Sequence, residues 1–130
     1  MKSLGLLGFA LVGSVAFAAP AQAPHDPLAP VEAGRWKLHE IGTTAGDTAV
    51  CVADPRLLLQ VRHGTRACTR HEIERTDKRL GVRYSCNGAG YGQTTLTVET
   101  KELLRIQTQG IASGAPFQAD YEARRVGACS

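Results

Sequence analysis

The chain has 130 residues, 43 % of them hydrophobic and 21 % charged, with 15 Lys and Arg against 12 Asp and Glu. That length holds one ordinary domain rather than two. A formal net charge of +3 with scattered, acid-interleaved arginines is not the concentrated basic footprint of a nucleic-acid binder.

The chain opens MKSLGLLGFALVGSVAFAAPAQA, with Lys2 ahead of an apolar run from Leu4 to Phe17 and then small residues in Ala-x-Ala order. This is the pattern of a secretory signal peptide. The run is shorter than the roughly 20 residues of a membrane span, and a second run never follows, so the mature protein is expected to be exported and soluble. Cleavage after Ala18 leaves Ala19 at the new N-terminus. The alternative, after Ala23, leaves Pro24, whose ring and missing N–H suit a peptidase badly. Residues 19–33, APAQAPHDPLAPVEA, hold four of the six prolines and read as an extended, flexible leader. The domain is expected from Gly34 to Ser130.

Within it, the period of the apolar residues sorts the elements. Trp36 and Leu38 alternate with Arg35, Lys37 and His39, and Val50 and Val52 flank Cys51, so both stretches predict strands. At Asp54-Pro55 an N-cap residue precedes a proline suited to the first helical position, which predicts one short helix over about residues 55–62. Thr69, His71 and Ile73, then Val82, Tyr84 and Cys86, restart the alternation on either side of a turn at Thr76–Arg79. Thr94, Leu96 and Val98 form the next strand, and Leu104 and Ile106 another. Phe117, Ala119, Tyr121 and Ala123 close the series after a loop at residues 110–116. Strands joined so briefly are antiparallel neighbours. The predicted fold is mainly β: an antiparallel meander curled over one short helix into a small sandwich or open barrel.

Four cysteines, Cys51, Cys68, Cys86 and Cys129, form an even set in a short exported chain and read as two disulfides. Three pairings are possible. Cys68 and Cys86 flank a local hairpin, and pairing them leaves Cys51 for Cys129. The rival reading, a metal site built on Cys68-Thr69-Arg70-His71, has only half a ligand set, because no other cysteine has a close Cys or His companion.

The stretch Cys86-Asn87-Gly88-Ala89-Gly90-Tyr91-Gly92-Gln93-Thr94-Thr95 resembles a phosphate-cradling loop in its glycines alone. A dinucleotide fingerprint needs G-x-G-x-x-G opening a helix, and a P-loop needs a lysine where Gln93 stands. Gly88, Gly90 and Gly92 are therefore read as backbone devices for a turn or bulge beside Cys86. No cofactor is expected. Ser85 and Ser113 lack a nucleophile motif. His63 and His71 are the candidate general bases, with Glu72 as a nearby acid, set against the plainer reading of His71 as a half-buried core residue. His25 lies in the leader and His39 on the polar side of the first strand. Arg70, Glu72 and Glu74 look across a hairpin to Arg79 and Arg83, so charge pairs on a solvated face explain them. Glu122, Arg124 and Arg125 read alike, and Trp36, Phe117 and Tyr121 read as core.

The opening Gly34-Arg35-Trp36-Lys37-Leu38, the four cysteines and the terminal Ala123-Arg124-Arg125-Val126-Gly127-Ala128-Cys129 together resemble domain-of-unknown-function family 3617. The segments Asp54–Gln60, Gly88–Gly92 and Thr108–Ile111 are similar to a subgroup of that family. The resemblance implies a small periplasmic, disulfide-linked β domain and assigns no activity or site residue. The functional expectation is a non-catalytic binding or envelope-interaction module, with a small apolar ligand or an envelope protein as partner. The alternative is a small hydrolase-like enzyme using His63 or His71.

Overall fold

The computed structural model describes residues 12–23 and 25–130. Residues 1–11, with Lys2 and most of the apolar leader run, and Pro24 lie outside the described residues. Alternation of apolar and polar residues builds seven strands: β1 (Gly34–Glu40), β2 (Thr48–Val52), β3 (Cys68–Arg75), β4 (Arg79–Cys86), β5 (Gly90–Thr100), β6 (Leu103–Ala112) and β7 (Ala115–Gly127). They form one antiparallel sheet in the order β2-β1-β7-β6-β5-β4-β3. From β3 to β7 the chain is a meander of hairpins, and β1 docks on β7 and carries β2. The expected antiparallel meander is present as a single unclosed sheet, with β2 and β3 as its edges.

The connection from β2 to β3 joins opposite edges and so crosses one face of the sheet, which becomes the inner face. Its first part is a 3-10 helix, Pro55–Gln60. The Asp54 carboxylate accepts from the Arg56 amide at 2.9 Å and Pro55 sits in the first turn, as the sequence suggests. The expected helix over 55–62 is thus cut to six residues of 3-10 winding. Leu58, Leu59 and Gln60, three consecutive residues, are all buried, and contact with the sheet rather than helix length holds the segment.

The core lies between this crossing and the inner face. Trp36, Leu96, Leu104, Ile106 and Ala123 have no exposed surface, and Leu58 and Leu59 pack over them from the connection. The packed body also extends back before Gly34. Leu28 and Val31 are buried in the same cluster, the Glu32 carbonyl accepts from the Trp36 indole at 3.2 Å, and Asp26 pairs with Arg56. Two apolar side chains placed among prolines are enough to lay this segment on the core.

Two loops are shorter than the glycine content suggests. The stretch at 110–116 is strand on both sides of a two-residue turn, Ser113 (φ 51°) and Gly114 (φ 77°), with Ala112 opposite Ala115. Left-handed conformation at both central residues matches the twist of a hairpin. Of the glycine triplet, only Gly88 (φ 72°) is in the turn, while Gly90 and Gly92 belong to β5.

Candidate functional site

Both disulfides are formed, Cys51 with Cys129 and Cys68 with Cys86. Cys68 and Cys86 are direct partners across β3 and β4, and Cys51 ties the short β2 to the chain end. Two disulfides mark an oxidising, extracytoplasmic location. Among the described residues no cluster of three or more His, Cys, Asp or Glu could hold a metal ion.

The two candidate histidines are kept apart. His71 is exposed on the outer face of β3, opposite Arg83. His63 is buried beneath the inner face at 5 % exposure. Its Nε2 faces the carbonyls of Ala89 and Ile111, each at 3.1 Å, so that nitrogen carries the hydrogen and donates. Its Nδ1 is 3.0 Å from the Tyr84 hydroxyl, which completes the ring's bonding. The imidazole packs edge-on against Tyr84 and Phe117, and Arg62 lies 5.1 Å from the Phe117 ring centre. Burial pushes the Tyr84 hydroxyl above the ordinary tyrosine range, against the opposing pull of hydrogen bonding toward Thr108 and Thr94 and of the Arg62 charge. Glu72 does not approach either histidine. Both its carboxylate oxygens face the Arg75 guanidinium, which holds its carboxyl below the usual range.

The glycines serve this interior. A Cβ at Gly92 would stand 2.5 Å from the Tyr84 hydroxyl oxygen. One at Gly90 (φ 111°) would meet the Ile111 carbonyl at 2.0 Å, one of the two that hold His63. The loop therefore gives room to a buried histidine and tyrosine. Gln60 is the second interior anchor: its amide donates to the Gly64 and Arg66 carbonyls at 3.0 and 2.8 Å, and its oxygen accepts from Arg70 at 2.7 and 3.1 Å. Neither Gln60 nor Tyr84 stands out in the sequence, since a single polar residue in an apolar run does not reveal whom it meets.

The expected surface charge pairs are found in part. Glu74 pairs with Arg79 at 3.3 Å and Glu122 with Arg124 at 3.3 Å. Arg70 turns inward to Gln60 instead, because its register places it opposite the inward Tyr84.

Several depressions in the surface open to solvent. The first, about 510 Å³, lies on the outer face around Tyr91, which is 58 % exposed, with His71, Arg83, Gln93 and Gln109 beside it. Arg83 spends its Nε on Gln93 at 3.3 Å, and most of the groove's accessible lining is apolar. The second, about 280 Å³, is apolar and opens at the β2 edge of the sheet. Val50 and Val52 of β2 form one wall, and Leu57, Leu58 and Val61 of the crossing form the other. Leu57 and Val61 are half-buried. Gly64 and Thr65 close its end. Among the described residues, the cleft places a half-buried apolar lining beside a strand with one neighbour. Neither the scan of protein-family models nor the searches of curated proteins and of solved structures find a match to this chain.

Proposed function

We propose that the chain is a periplasmic binding module of the cell envelope without catalytic activity, exported by its N-terminal signal peptide and related to domain-of-unknown-function family 3617. Its ligand-binding element is the cleft between β2 and the 3-10 helix. One observation carries the reading: an apolar cleft stays open to solvent at a sheet edge, while the polar groups of the interior are bonded to each other. Apolar lining with few polar groups is the usual character of a binding pocket. The two disulfides, the leader pattern and the resemblance support the compartment. Outer-face arginines paired with acids, Arg79 with Glu74 and Arg124 with Glu122, favour a partner other than nucleic acid.

The test uses an apolar fluorescent probe, 1-anilinonaphthalene-8-sulfonate, on the oxidised, natively folded protein. Fluorescence should rise on binding, and Val61→Arg, which puts a charge into the wall, should weaken binding at least tenfold with an unchanged circular dichroism spectrum. No binding by the wild-type protein, or equal binding by the variant, contradicts the proposal.

A further inference from the structure

Resting on the cleft reading, we infer that its natural occupant is an extended segment of a partner protein, added to β2 as an eighth strand of the sheet. The two edges of the sheet are built differently. At β3, Arg70, Glu72, Glu74 and Arg75 line the strand and its register breaks between Glu72 and Glu74. Charges and a bulge are what edge strands use to refuse another strand. At β2 the sequence is Thr48-Ala49-Val50-Cys51-Val52, without charge or proline, and its register with β1 runs unbroken from Gly34 opposite Val52 to Leu38 opposite Thr48. Among the described residues, one edge is blocked and the other is left open.

The open edge has unpaired backbone groups on alternate residues, and only another backbone satisfies such a row. Side chains of an added strand alternate between faces, so every second one falls on the inner side, where the cleft lies against Val50 and Val52. The Cys51–Cys129 disulfide pins β2, which otherwise has one neighbour, so the edge is ordered before the partner arrives. A second copy fits poorly, because its own β2 presents another cleft rather than a side chain to fill this one. The matching ligand is a segment of about five residues with β-branched or aliphatic side chains at alternate positions.

An array of hexapeptides with Val, Ile, Leu or Phe at alternate positions and polar residues between them tests this on the oxidised full-length mature protein. Members should bind, protect the amides of Thr48–Val52 from hydrogen exchange, and lose affinity at least tenfold when alternate backbone nitrogens are methylated. Collecting the apolar residues into one block should cost as much. Val61→Arg should abolish binding, whereas Tyr91→Ala, on the outer face, should leave it unchanged. Binding indifferent to N-methylation and to residue order overturns the added strand but keeps the cleft as an apolar site. Failure of every peptide while the fluorescent probe binds does the same. Concentration-dependent dimerisation that protects Thr48–Val52 overturns the choice of partner in favour of a second copy.

Discussion

His63 shows how a residue with catalytic chemistry becomes structural when every polar atom it offers is taken. It bonds Tyr84, Ala89 and Ile111 from a buried position, joining the crossing to β4, to the turn that follows it and to β6. Replacement by Phe keeps the ring and strands two carbonyls and a hydroxyl, so His63→Phe should cost about 2–3 kcal/mol in urea unfolding of the oxidised protein. A loss under about 0.5 kcal/mol would show that the bonds are not needed. Tyr84 carries a second expectation at this scale. Its hydroxyl is raised in the folded state, so its contribution is fully present below about pH 10 and is lost as pH climbs through the folded value. Spectrophotometric titration should find one tyrosine ionising above the ordinary range, absent in Tyr84→Phe, and the wild type should lose stability on that alkaline limb. The glycines around Tyr91 were legible as backbone devices because neither a lysine nor a helix follows them. That two of them make room for Tyr84 and His63 was not, since the residues they accommodate are distant in sequence.

The strands were legible because a period of two records which side chains meet the core, as Leu80, Val82, Tyr84 and Cys86 illustrate along β4. Turn-forming residues were less informative, because Gly110 and Pro116 fit within paired strands and only Ser113 and Gly114 turn. The helix signal at Asp54-Pro55 fixed the start of the segment and not its winding, which contact with the sheet decides. The cleft was visible only as parts, an uncharged short strand and a Leu-rich segment. Nothing local places them side by side. Gln60 ties that crossing down, since it holds the turn at Gly64 and Arg66 and receives Arg70 from the far edge. Gln60→Leu should therefore cost about 2 kcal/mol, and Arg70→Met on top of it should cost less than on the wild type. Fully additive losses in that double-mutant cycle would show that the two side chains do not act together.

For the whole molecule, one open sheet covered on one face by an irregular crossing has a thin core, and the disulfides supplement it. Closing loops of 18 and 78 residues is worth about 3 and about 4.5 kcal/mol on the chain-entropy model. Their sum is comparable to the net stability of a small domain, about 5–15 kcal/mol. Dithiothreitol should accordingly unfold or severely loosen the protein, and an unchanged thermal midpoint after reduction would remove this role. The placement of the bridges has a second consequence, since Cys51–Cys129 fixes the strand that borders the cleft. Stability and the proposed binding edge therefore depend on the same oxidised state.

The most direct test of that binding edge is residue-resolved nuclear magnetic resonance of the isotope-labelled, oxidised protein titrated with 1-anilinonaphthalene-8-sulfonate. Amide shifts concentrated at Val50, Val52, Leu57, Leu58, Val61, Gly64 and Thr65 are the predicted result. Shifts centred on Tyr91, His71 and Gln109, or spread without a centre while the protein stays folded, would contradict it.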